Sequence, residues 1–112
     1  MGLTSKHFKD WLNSFNVDYY EWKSRNVAGE DTFEPKAIVL SCYVDETIRR
    51  ITDFRNEEVI SNAQLYIDGD NELIPSIKPE DKFVLNEIDC FPKNFHKFRD
   101  EEGNLDVMVV YL

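Results

Sequence analysis

From Lys36 onward the apolar residues of this chain alternate with polar ones in short runs, and glycine, proline or clustered acids interrupt each run before it reaches helix length. A period of two suits a pleated strand with one face on a core, which confines most of the chain to β architectures. Lys36 to Phe54 is the longest strand candidate: Ala37, Ile38, Val39, Leu40, Cys42, Tyr43, Val44, Thr47, Ile48 and Ile51 favour strands, and no glycine or proline breaks them. Arg55-Asn56-Glu57 reads as a hairpin tip returning through Glu58 to Asp68, where Val59, Ser61, Ala63, Leu65 and Ile67 share one side. Asp68-Gly69-Asp70-Asn71 is a turn, and Pro75 and Pro79 keep Leu73 to Glu80 out of any central strand. Lys82 to Ile88, Phe95 to Arg99 and Leu105 to Leu112 supply further strands. The last is apolar nearly throughout and is therefore expected at the centre of a sheet.

Upstream, Val17, Tyr19 and Glu21 alternate with Asp18, Tyr20 and Trp22 as a strand, and Asn26 to Pro35 reads as an exposed connection. Thr4 to Asn13 differs: Phe8, Trp11 and Leu12 fall at i, i+3, i+4, the spacing of a short amphipathic helix capped by Thr4 or Ser5. The expected fold is mainly β, a small antiparallel β-barrel of about six strands with a short N-terminal helix. It forms a single domain over residues 1–112, the helical segment over 1–14 and the barrel over 15–112. The longest apolar run, Ala37 to Leu40, is far short of the roughly 20 residues a membrane helix needs. Met1 to Trp11 carries Lys6, Lys9 and Asp10 where a secretory signal has an apolar centre, so neither membrane contact nor export is expected.

Charge narrows the function. Residues 1–56 hold 8 basic and 9 acidic groups, residues 57–112 hold 5 and 13, and the formal net charge is −9. Sequence-independent nucleic-acid binding needs lysine and arginine to displace counterions from phosphates, and this balance opposes it. Two cysteines, Cys42 and Cys90, in a chain large enough to fold without bridges read as reduced thiols in a cytosolic setting.

No enzymatic constellation survives inspection. Asp68-x-Asp70-Asn71-Glu72 resembles the start of a calcium loop, but Leu73 and Pro79 stand where an EF-hand needs glycine and a bidentate glutamate. Cys90 with His96 or His7 would need a positive neighbour to lower the thiol pKa, yet Glu87 and Asp89 precede it. Glu57/Glu58 and Glu101/Glu102 are adjacent, so on a strand they point to opposite faces. His96 has no second ligand at metal spacing, and the glycines at 2, 29, 69 and 103 stand alone, so neither a metal nor a phosphate-binding loop is expected and no cofactor is implied. The one concentrated positive charge is Arg49-Arg50 with Arg55, readable either as a solvated edge that blunts strand pairing or as a projecting contact with an acidic partner or a DNA phosphate. Tyr19, Tyr20 and Trp22 read as core with some interface.

The stretch Ile51-Thr52-Asp53-Phe54-Arg55-Asn56-Glu57-Glu58-Val59-Ile60-Ser61-Asn62-Ala63-Gln64-Leu65-Tyr66-Ile67, followed by the turn Ile77-Lys78-Pro79-Glu80-Asp81-Lys82 and the closing Asp100 to Leu112, resembles the head-completion (stopper) proteins of long-tailed bacteriophages, a head-tail connector family. The resemblance covers roughly residues 17 to 112; the N-terminal segment lies outside it. It implies a virion structural protein, not an enzyme, assembled in the bacterial cytoplasm. Copies would form a ring of about twelve between the portal or adaptor protein and the tail-terminator protein, closing the exit channel of a DNA-filled capsid. Double-stranded DNA would pass without sequence-specific binding. The family's channel loop carries over to Asp45 through Asn56, with Arg49, Arg50, Ile51, Phe54, Arg55 and Asn56 as contact residues. The competing readings are an adaptor or tail-terminator ring component, and an acidic DNA mimic that occupies a host nucleic-acid-binding protein.

Overall fold

The computed structural model describes residues 10–112. The strands among them are β1 (Phe15–Tyr20), β2 (Trp22–Arg25), β3 (Asp31–Phe33), β4 (Ile38–Asp45), β5 (Arg49–Thr52), β6 (Glu58–Ser61), β7 (Gln64–Asp68), β8 (Lys82–Leu85), β9 (Ile88–Cys90), β10 (Asn94–Arg99) and β11 (Leu105–Tyr111). Seven of them form one antiparallel sheet in the order β10-β11-β7-β4-β1-β8-β9, and β2-β3 and β5-β6 are separate two-stranded ribbons. The sheet is curled into a half-barrel. Its two edges, β9 and β10, are separated in sequence only by Phe91, Pro92 and Lys93. Four Cα steps reach at most about 14 Å, so the sheet must curl far enough to bring the start of β10 within that distance of the end of β9, although the two edges do not pair.

Both faces of this sheet are apolar in its middle. The concave side buries Val17, Tyr19, Leu40, Cys42, Leu65, Ile67, Phe83, Met108 and Val110 as one cluster. On the other side Leu12, Val107 and Val109 are buried against Tyr43, Tyr66 and Tyr111. β11 therefore contributes Met108 and Val110 to one face and Val107 and Val109 to the other, which is why its sequence is apolar throughout. The helix expected over Thr4 to Asn13 is present at Asp10–Leu12, and the earlier part of that segment, with Phe8, lies outside the described residues. Leu12 is its buried anchor, and Trp11 stacks on Tyr43 with ring centroids 4.0 Å apart.

Three expected elements divide. The uninterrupted run Lys36 to Phe54 becomes β4 and β5, and the return Glu58 to Asp68 becomes β6 and β7. β4 and β7 pair Asp45 with Gln64, whereas β5 and β6 pair Arg49 with Ser61, so three residues on one side face two on the other. The one extra residue shifts the register and turns the outer ribbon away from the sheet. Lys82 to Ile88 is likewise two strands, reversed at Asn86 and Glu87, which have φ of 52° and 67°. The loop Asn26 to Pro35 contains β3.

Three hairpins end in the same five-residue tip, Asn26–Glu30, Asp53–Glu57 and Asp100–Asn104. In each, the first residue's amide donates to the fifth residue's carbonyl at 2.8 Å, and its own carbonyl accepts from the fourth residue's amide at 3.0 to 3.1 Å. Its side-chain oxygen accepts the third and fifth residues' amides at 2.8 to 3.0 Å. The fourth residue is left-handed in every case: Gly29, Asn56 and Gly103 have φ of 83°, 65° and 85°. This is the three-residue loop with a bulge that matches the twist of paired strands. Gly69 serves differently: a Cβ there would collide with the Leu105 carbonyl oxygen, so its turn seats directly on the start of β11.

Candidate functional site

The extra residue at Glu46–Ile48 fixes where the ribbon β5–β6 leaves the sheet, and a polar joint holds that point. Gln64, fully buried, donates from Nε2 to Ser61 Oγ at 3.0 Å and accepts Arg49 Nε at Oε1 at 3.1 Å. Ser61 Oγ is 3.0 Å from the Ala63 and Leu112 carbonyl oxygens, to which it donates. Arg49 also meets Asp45 Oδ2 at 3.3 Å. Two Thr47 hydrogen bonds, with Arg49, hold the Asp45 carboxyl below the ordinary carboxylate value. Arg49 is therefore an anchor at the root of the ribbon.

Farther out, the other expected contact residues separate into an attached side and an open side. The Phe54 amide donates to the Lys93 carbonyl at 3.1 Å, and the Phe54 ring meets Phe95 edge-on at 5.3 Å. Asn94 Nδ2 donates to the Thr52 carbonyl and Lys93 Nζ to the Ile60 carbonyl, both at 2.6 Å. The ribbon is thus strapped to the segment Lys93–Phe95, with Ile51 half-buried. Arg50, Arg55 and Asn56 face solvent. Arg50 Nε is 3.0 Å from Glu58, and Arg55 Nη2 is 3.7 and 3.8 Å from Asp53 and Glu57. The Glu57 and Arg55 amides, with the Arg55 charge, hold the Asp53 carboxyl below its usual range. Three arginines face five carboxylates over residues 45–61, so the ribbon offers cations that already have counter-charges. Such exposed pairs contribute little to stability and keep the guanidinium groups from acting as free phosphate ligands.

The remaining candidates stay apart. Burial raises the Cys90 thiol, the reverse of what a nucleophile needs, and burial pushes Cys42 up to about 12. Both cysteines are free thiols. His96 stacks on Phe98 with ring centroids 4.2 Å apart, and His7 lies outside the described residues. Asp68 accepts the Asp70 amide as an ordinary turn, and among the described residues no group of three or more His, Cys, Asp or Glu is arranged to hold a metal. Tyr19 is core, whereas Tyr20 and Trp22 are half-buried. Among the described residues no helix is long and apolar enough to cross a membrane.

A groove of about 510 Å³ opens beside β9, walled by Ala63, Leu85, Ile88, Phe91 and Leu112, with Glu46, Asp89 and Lys93 as its charged lining. Its lining comes from four separate stretches of the chain, around residues 46, 62–63, 85–93 and 112, so no local pattern announces it. Comparison of the chain with protein-family models, with curated proteins and with solved structures finds no match.

Proposed function

We propose that this chain is a subunit of a phage head-tail connector ring of the stopper type, joining the portal or adaptor end of a DNA-filled capsid to the tail and closing the exit channel. The reading begins from the family resemblance of residues 17 to 112. The observation that carries it further is the β5–β6 ribbon, a separate two-stranded element whose open side presents Arg50, Arg55 and Asn56. A ribbon whose arginines are all met by carboxylates suits a surface that DNA must pass without being gripped, because it has few unpaired cations to exchange for the counterions of phosphate. The acids at the tips favour this over the DNA mimic: Asp53 and Asp100 are turned inward onto loop amides instead of forming an outward row.

The test is electron microscopy of lysates from the parent phage with this gene deleted, with packaged DNA assayed alongside. Separate tails beside emptied or leaking heads are expected. Arg50→Ala and Phe54→Ala would then retain the ring and leak DNA. Intact tailed particles from the deletion would end the proposal.

A further inference from the structure

We infer that the groove beside β9 receives the β10 edge of a second copy of this chain, joining copies head to tail. The inference rests on the ring reading for its setting and adds the surface that reading lacks. β9 and β10 are the two unpaired edges of the seven-stranded sheet, and an unpaired edge is a template for another strand. Their side chains are complementary. Around β9, residues 86–91 carry Glu87 and Asp89 and no base, and the groove's other charged lining residues are Glu46 and Lys93, the latter already held by the Ile60 carbonyl. Around β10, residues 93–99 carry Lys93, Lys97, Arg99 and His96 and no acid.

Each edge also exposes apolar surface. Ile88 is 64% exposed and Phe91 49% on one, and Phe98 is 44% exposed on the other. Intramolecular contacts occupy only part of these charges. Lys82 reaches Asp89 at 3.9 Å, Lys93 is held by the Ile60 carbonyl, and Arg99 donates to the Gly103 carbonyl. Lys97 and Glu87 remain outside those pairs. The ribbon straps only the start of β10 and the residue before it, over Lys93–Phe95. His96 to Arg99 are exposed.

The faces restrict the register to every second residue. Ile88 stands opposite Leu85, which packs on the concave core, and Lys97 lies two residues from Phe95, which packs there too. Matching concave side to concave side in an antiparallel pairing admits registers two residues apart, and the one that lays residues 86–91 fully along 94–99 puts Ile88 opposite Lys97 and Asp89 opposite His96. An acidic edge cannot pair with itself, so the contact is between unlike surfaces. Repeated, it generates a ring if the rotation closes and a filament if it does not.

The pairing is tested by disulfide trapping of an I88C/K97C variant in a C90S background, all at the edges in question, with circular dichroism confirming the fold. Mild oxidation should give a ladder of dimers, trimers and higher species. I88C/C90S and K97C/C90S alone should not extend the ladder beyond dimers, and V27C/K97C/C90S, whose first cysteine sits at an exposed site away from the edge, should remain largely monomeric. A folded I88C/K97C/C90S protein that stays monomeric, or that links no better than the V27C control, overturns the inference. A single-cysteine variant that dimerises as efficiently as the pair overturns it too, because it shows like edges meeting. The outcome separates from the connector reading. A ladder with intact particles from the gene deletion keeps this contact and removes the connector, while leaking heads without a ladder do the reverse.

Discussion

Two fully buried residues on neighbouring segments, Tyr19 and Asp81, show how differently buried polar atoms weigh. The Tyr19 ring stacks on Phe83 at 5.2 Å, but its hydroxyl has no partner among the described residues. Asp81 is the opposite case: Oδ1 accepts the Trp22 amide and Oδ2 the Lys78 amide, each at 2.8 Å, tying the exit of β1 to the entry of β8. A buried group left unsatisfied costs its desolvation, whereas a satisfied one leaves its partners stranded when removed. Tyr19→Phe should therefore be neutral or stabilise by about 1 kcal/mol, and Asp81→Ala should destabilise by about 3 kcal/mol, both read from urea unfolding midpoints. Equal losses in the two variants would contradict this account.

At the scale of elements, the joint between sheet and ribbon decides how independently β5–β6 can move. Gln64→Leu keeps the volume of the buried side chain but removes the bonds to Ser61 and Arg49, at an expected loss of about 1 kcal/mol. Amide exchange should quicken in Arg49–Ser61 while β7 and β11 keep their protection; uniform change across the sheet would show that the ribbon is not a separate unit. The division at this joint was hidden in the sequence because Thr47 and Ile48 favour strands as strongly as their neighbours, and a single extra residue has no compositional mark. The buried side of the return was legible in part: Ser61, Ala63, Leu65 and Ile67 are buried as the alternation required, whereas Val59 is half-buried and Gln64 and Asp68 on the other side are buried as well. The basic cluster was legible as a cluster. That Arg49 is an anchor was not, because Gln64 lies 15 residues away, and Lys93 and Asn94 reach the ribbon from 33 and 42 residues away.

For the whole molecule, the titrating groups bracket stability on both sides. Asp31, Asp45 and Asp53 are held below the ordinary carboxylate value, chiefly by hydrogen bonds from Trp22, Thr47 and the Glu57 amide. Groups that bind fewer protons folded than unfolded contribute fully above about pH 4, and the contribution drains as pH falls through their folded values. Cys42 and Tyr19 work from the other end. Burial pushes both to about 12, from ordinary values of 9.0 and 10.0, so the unfolded chain ionises first and stability declines as pH rises from 9.0 toward 12. Thermal midpoints measured across pH should form a plateau with a fall at each end. Cys42→Ala should shift the alkaline fall to higher pH, while an unchanged alkaline limb would mean that this thiol does not set it.

The shared design of the three hairpin tips makes them portable. Because Asp53–Glu57 and Asp100–Asn104 close through the same bonds and the same left-handed fourth residue, one five-residue segment can be transplanted onto the other's strands without altering the backbone that carries it. What touches the outside can thus be rewritten at the end of the ribbon, letter by letter, while the grammar of the fold beneath it stays as it was.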